Sequence, residues 1–125
     1  MSHFATVNTQ IKDIEALRAA VEEMGLTLLE NTEARGYGSN RIRGQYVIRL
    51  RGPYDVALNK NADGVFQLST DWWGGHVQKE VGDDYGRLLQ IYGVHIATRA
   101  ARRKGYTVRR RALRDGSIRV QIQGV

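Results

Sequence analysis

DDYGRLLQIYGVHIATRAARRKGYTVRRRALRDGSIRVQIQG, residues 83–124, reads as a long helix, a tight corner and a basic hairpin. Tyr85, Leu88, Leu89, Tyr92 and Ile96 recur at spacings of three and four, which is one face of a helix. The helix runs on through Ala97, Ala100 and Ala101 and is expected to stop at Gly105, where a left-handed C-cap costs a glycine least. Tyr106 to Leu113 then reads as a strand. Asp115-Gly116 turns it, and Ile118, Val120 and Ile122 alternate with Arg119, Gln121 and Gln123, the pattern of a half-buried strand. Two registers are open. A two-residue turn sets Leu113 opposite Ile118 and Val108 opposite Gln123. A three-residue loop with Gly116 as a bulge pairs Val108 with Ile122, puts Arg110 on the face of Val120, and is preferred because it buries the β-branched pair.

Working back from this unit, His3 to Gln10 forms a weakly alternating first strand. Asp13 is an N-cap, and Ile14, Leu17, Val21 and Met24 make a helical stripe that ends at Gly25. Leu26 to Glu30 is a short strand. Asn31 to Gly44, with Gly36, Gly38 and Gly44 among polar residues, reads as a loop or irregular strand edge. Tyr46 to Arg51 and Tyr54 to Leu58 alternate as strands on either side of Gly52-Pro53, and Asn61-Ala62-Asp63-Gly64 closes a hairpin onto Val65 to Thr70. Trp72-Trp73-Gly74-Gly75 and a polar run to Gly82 lead into the long helix. The order predicts a single domain over residues 1–125 of the α+β class, an antiparallel sheet with two helices on one face. LRAAVEEMGLTLL (17–29) and TRAARRKGYTVRR (98–110) share a helix–Gly–strand plan, a weak pointer to ferredoxin-like βαβ halves.

With 125 residues the chain can bury a core unaided, and the absence of cysteine excludes zinc fingers, thiol catalysis and disulfide scaffolds. Met1 to Thr6 lacks the basic end and apolar run of a signal peptide, and no apolar stretch approaches the ~20 residues of a membrane helix. A cytoplasmic protein is expected. The net charge of +6 is uneven: Arg99 to Arg119 holds nine Lys or Arg against Asp115 alone, so that segment carries +8 and the remainder −2.

Met1-Ser2-His3-Phe4, Ile11-Lys12-Asp13, Arg35-Gly36-Tyr37, Val47-Ile48-Arg49, Tyr54-Asp55-Val56, the helix entry to Gly105, and Asp115-Gly116-Ser117-Ile118 fall in an order that is familiar. By these stretches the chain resembles the conserved hypothetical reading-frame-thirty-five proteins of plastids and cyanobacteria, grouped as a domain of unknown function. The resemblance implies no activity, cofactor or catalytic residue. It does imply an accessory role beside an AAA-type ATPase. The basic C-terminal half departs from members with a Gln- and Glu-rich stretch there, so a function resting on it belongs to this chain rather than to the family.

Three groups of residues could carry a function. In the basic segment, Arg102, Arg103, Lys104, Arg109, Arg111 and Arg119 could grip phosphates while Tyr106 stacks on a base; the competing reading is a solvated helix end whose cations suit the helix dipole. The adjacent Trp72 and Trp73 should point to opposite faces, one buried and one available as an anchor for a protein partner. Arg35, Gly36 and Tyr37 belong to a glycine-rich loop that does not join a strand to a helix N-terminus and lacks Gly-Lys-Ser/Thr, so it is no phosphate cradle. His3, His76 and His95 stand apart, and neither a metal-ligand spacing nor a Ser–His–Asp arrangement around Ser39, Ser69 or Ser117 can be found. Asp71, His76, Asp83 and Asp84 lie close in sequence, but acids at a helix start explain Asp83 and Asp84 more simply. The reading is therefore a non-catalytic accessory protein without cofactor or metal. It presents Trp72, Trp73, Arg35 and Tyr37 to a protein partner, an ATPase by resemblance; nucleic acid bound by the basic segment is the alternative. Phosphate binding requires the arginines to gather on one face, whereas scattered arginines favour plain solvation.

Overall fold

The computed structural model describes residues 3–124, so Met1 and Ser2 of the N-terminal match lie outside the described residues. The elements are β1 (Ala5–Asn8), α1 (Ile14–Glu23), β2 (Thr27–Arg35), β3 (Arg41–Arg49), β4 (Val56–Lys60), β5 (Phe66–Thr70), α2 (Gln78–Val81), α3 (Gly86–Arg103), β6 (Thr107–Ala112) and β7 (Ile118–Gln123). β1 to β5 form one antiparallel sheet in the order β1-β5-β4-β3-β2, and β6-β7 stand apart as a two-stranded sheet. This is the α+β class that the element order predicts. No helix among the described residues is long and apolar enough to cross a membrane.

Both long helices cover one face of the sheet. Leu17 and Val21 of α1 and Leu88 and Ile91 of α3 share a core with Ile48, Val56, Leu58, Phe66 and Leu68. Burying each such side chain contributes about 1.5–3 kcal/mol before chain entropy is counted. The alternate residues Val47 and Ala57 join Ala34 in a small cluster on the opposite face. Asp13 caps α1 by accepting from the Ala16 amide at 3.0 Å. The two helix–Gly–strand units end alike. Leu26 N–H reaches Val21 O (3.0 Å) and Gly25 N–H reaches Glu22 O (2.9 Å), while Tyr106 N–H reaches Ala101 O (3.0 Å) and Gly105 N–H reaches Arg102 O (2.9 Å). Each is a Schellman stop with a glycine at positive φ.

Beyond those corners the two units part. α1 delivers β2 to one edge of the sheet, with β1 at the other, whereas β6 pairs only with β7. Ferredoxin-like halves are therefore not formed. A strand reading Arg109-Arg110-Arg111 has too little apolar alternation to be buried within a sheet. The register of β6-β7 pairs Val108 with Ile122 and Arg110 with Val120. Leu113 N–H donates to Ser117 O at 2.8 Å around Gly116 at φ +88°, the bulged three-residue loop.

Of the two readings of residues 31–44, a loop or an irregular strand edge, the second is the one formed. These residues continue β2 and open β3, and only Gly36 to Asn40 form the tip. The strand pattern is masked because the hairpin bends and folds over the uncovered sheet face. Asn31 takes a left-handed φ of +49°. At Gly44 an added Cβ would collide with the Tyr46 carbonyl oxygen and lie 3.0 Å from Val47 Cγ2. The far end of the hairpin comes down on Asp55, whose N–H donates to Arg35 O at 3.0 Å. Gly36 passes beneath the Phe4 ring, where an added Cβ would sit 2.6 Å from Phe4 Cζ. The run from Gly74 to Gly82 also holds more than linker: Val77 and Val81, flanking and ending α2, are fully buried.

Candidate functional site

The bend of the β2–β3 hairpin brings its tip to the Trp72-Trp73 loop. Asp71, 1% exposed, joins the two: Oδ2 accepts the Tyr37 N–H and Oδ1 the Trp73 N–H, each at 3.0 Å. The rings of Tyr37 and Trp73 then meet at 5.3 Å between centroids, tilted by 60°. Both face water, Tyr37 at 49% and Trp73 at 52% exposure. Trp72 turns the other way and packs edge-on against Tyr85 at 4.9 Å, half-buried against the main core.

Arg35 does not join this exposed pair; it holds the tip in place. Its Nε donates to Asp55 Oδ2 and its Nη2 to Asp55 Oδ1, both at 2.9 Å, with a further bond to Gly52 O at 3.0 Å. Hydrogen bonding to the carboxylate pushes the guanidinium pKa up, against the opposing effect of burial. Asp55 is fully buried and also accepts the amides of Arg35 (2.9 Å) and Leu50 (3.1 Å), with Arg49 Nε at 3.4 Å. Glu80 on α2 in turn takes the amides of Arg51 (2.8 Å) and Gly52 (3.0 Å). A continuous set of bonds thus runs from α2 through the Gly52 turn and Arg35 to Asp55. Beside it the Tyr54 hydroxyl, pushed up by burial, belongs to a ring that meets His76 edge-on at 5.3 Å.

The sequence reading gave no role to Asp55 or Glu80 and weighed Asp71 only as one of a group of acids, although Asp55 and Asp71 each left a trace. Asp55 interrupts an apolar strand between Tyr54 and Val56, and Asp71 directly precedes the tryptophan pair. Asp71, His76, Asp83 and Asp84 do not converge on an ion. Among the described residues no three His, Asp or Glu are grouped to hold a metal. Asp83 and Asp84 lie in the 3-10 turn before α3, and neither caps that helix by a side-chain bond. Ser69 is bonded to Thr6 (2.6 Å) and Ser117 to Asp115 (2.5 Å), so neither hydroxyl is poised against a histidine.

In the basic segment, Arg109 lies opposite Gln121 and Arg111 opposite Arg119. These four share one face of the hairpin and line a depression of about 260 Å³, to which Arg110 also contributes. Among the described residues no carboxylate pairs with Arg109, Arg111 or Arg119. Two like charges directly across a ladder repel. Arg110 alternates to the inner face and grips Glu23 of α1 through both oxygens, at 3.0 and 2.7 Å. Arg102, Arg103 and Lys104 are exposed at the end of α3, and Tyr106 follows at 38% exposure.

A family model described as a protein of unknown function (DUF1257) matches residues 20–121. The match takes in the folded-over hairpin, the tryptophan loop, α3 and most of the arginine hairpin. Neither the curated proteins nor the solved structures gave a match.

Proposed function

Because this chain belongs to the DUF1257 family of proteins of unknown function, whose description assigns no chemistry, its role must be read from its surface, and we propose that it is a small non-catalytic accessory protein whose Tyr37–Trp73 pair anchors a protein partner. Within that family we place it with the plastid and cyanobacterial reading-frame-thirty-five type, and an AAA-type ATPase is the partner class this placement favours. The observation that carries the reading is the pair itself. Two exposed aromatic rings are fixed against each other by backbone amides bound to one buried carboxylate. Rigid exposed aromatics lose little entropy on docking, which is what binding hot spots require. A photo-crosslinking side chain at position 73 tests this in cells. One dominant protein adduct is expected, absent when the same group replaces the exposed Glu15. Equal, diffuse labelling at both positions sinks the reading.

A second reading, nucleic acid, is favoured by the gathering of Arg109, Arg111 and Arg119 on one face. Anisotropy of labelled single-stranded RNA and duplex DNA across a salt series should then fall steeply, with a log–log slope of about −0.7 to −0.9 per phosphate contact. Arg109→Glu with Arg111→Glu should abolish the binding and leave the fold intact. Undiminished binding by that variant would remove the arginine face from consideration.

A further inference from the structure

On the other flank of Trp72, a groove of about 600 Å³ opens between β1 and the start of α3. Val7 and Ile11 lie along one side; Trp72, Tyr85 and Leu89 supply further apolar lining; and Asp84 is its only charged lining residue. We propose that this groove takes an extended segment of a partner protein, added to β1 as a sixth strand, with an apolar side chain in the groove and a Lys or Arg beside Asp84. The inference rests on the reading that the tryptophan loop faces a protein partner, and it gives that partner a chemistry.

Shape, hydrogen bonding and charge agree on this occupant. β1 is the last strand of the sheet, so among the described residues no strand pairs with its outer side, and Ala5 to Asn8 are all exposed. The lining follows the chain without a break from Val7 and Asn8 at the end of β1 on to Ile11, an elongated wall beside the strand. Tyr85 is only 2% exposed, yet its hydroxyl has no hydrogen-bond partner among the described residues. Asp83 and Asp84 are exposed with no cation in salt-bridge range among the described residues, on a chain of net charge +6. Asp84 is the charged residue among the groove's described lining, and it suits a basic side chain. Asp84 and Tyr85 hold left-handed φ angles of +50° and +66°, an uncommon conformation in two successive non-glycine residues.

The test selects a phage-displayed library of short random peptides on the purified full-length chain. The enriched sequence is then synthesised with a fluorophore. Enrichment of an aliphatic or aromatic residue next to Lys or Arg is expected. Asp84→Lys and Leu89→Glu should each weaken binding about tenfold or more, as for a contact worth over 1.4 kcal/mol. Peptide addition should slow hydrogen exchange at the amides of Ala5 to Asn8. Asp84 is exposed, so its variant keeps the test sound should Leu89→Glu fail to fold. No enrichment, an acidic consensus, unchanged exchange along β1, or a chain that dimerises through this edge overturns the proposal. Binding that survives Trp73→Ala but fails in Asp84→Lys supports the groove even if crosslinking at position 73 fails. The converse pattern removes the groove and leaves the aromatic pair.

Discussion

Asp55 is fully buried, and its charge is balanced by Arg35 at 2.9 Å and Arg49 at 3.4 Å. Replacing it with alanine removes the acceptor of the Arg35 and Leu50 amides and of Arg35 Nε, and the countercharge of Arg35 and Arg49. Asp55→Ala should cost about 1–3 kcal/mol in urea unfolding, the range for leaving buried donors without their acceptor, since the arginines themselves are partly exposed. Gly44→Ala should cost about 1–3 kcal/mol, because the obstructing atom is the backbone oxygen of Tyr46 and cannot rotate away. The same substitution should separate Tyr37 from Trp73, and Trp fluorescence reports that directly. The Asp13 cap was legible because its partner is three residues away. Asp55 was not, because its partner Arg35 lies 20 positions back across a bend that no local pattern announces.

Among the elements, α3 and the β6-β7 hairpin were the most legible. Their periodicities are unbroken, and the bulged register that pairs Val108 with Ile122 is the one formed, although Ile122 stays 47% exposed rather than buried as expected. What held the hairpin to the rest could not be read. Arg110 and His95 both bind Glu23, which belongs to the other helix. Hydrogen bonding from Arg110 holds the Glu23 carboxyl below its usual value of 4.5; burial opposes this, and the bond to His95 adds to it. A carboxylate with a lowered pKa in the docked state stabilises docking fully above pH 4.5, and that contribution is lost as pH falls through the lowered value. Hydrogen exchange of the β6-β7 amides, corrected for intrinsic rate, should therefore accelerate below pH 4.5. Glu23→Gln should accelerate it at neutral pH and flatten the pH dependence.

At the scale of the whole molecule, the Tyr37–Trp73 pair and the face of Arg109, Arg111 and Arg119 lie on separate pieces, the first at the hairpin tip and tryptophan loop, the second on the β6-β7 unit. None of these five side chains is part of the core. Tyr37→Ala with Trp73→Ala should shift the stability measured in urea by less than about 0.5 kcal/mol, as for surface changes generally. A larger loss would mean that the pair is structural.

The place of β1 in the sheet has a consequence in time. Every other pairing in the five-stranded sheet joins strands that follow one another along the chain, whereas Thr6 meets Ser69 across 63 positions. The meander from β2 to β5 can close from local contacts, and β1 can dock only afterwards, since distant loop closure is the slow part of folding. Phe4→Ala, which removes the ring lying over Gly36, should then speed unfolding and leave the refolding rate unchanged in stopped-flow experiments. During synthesis the order reverses the need: β1 is made before its partner, and waits as an unclaimed edge until β5 follows it about 60 residues later.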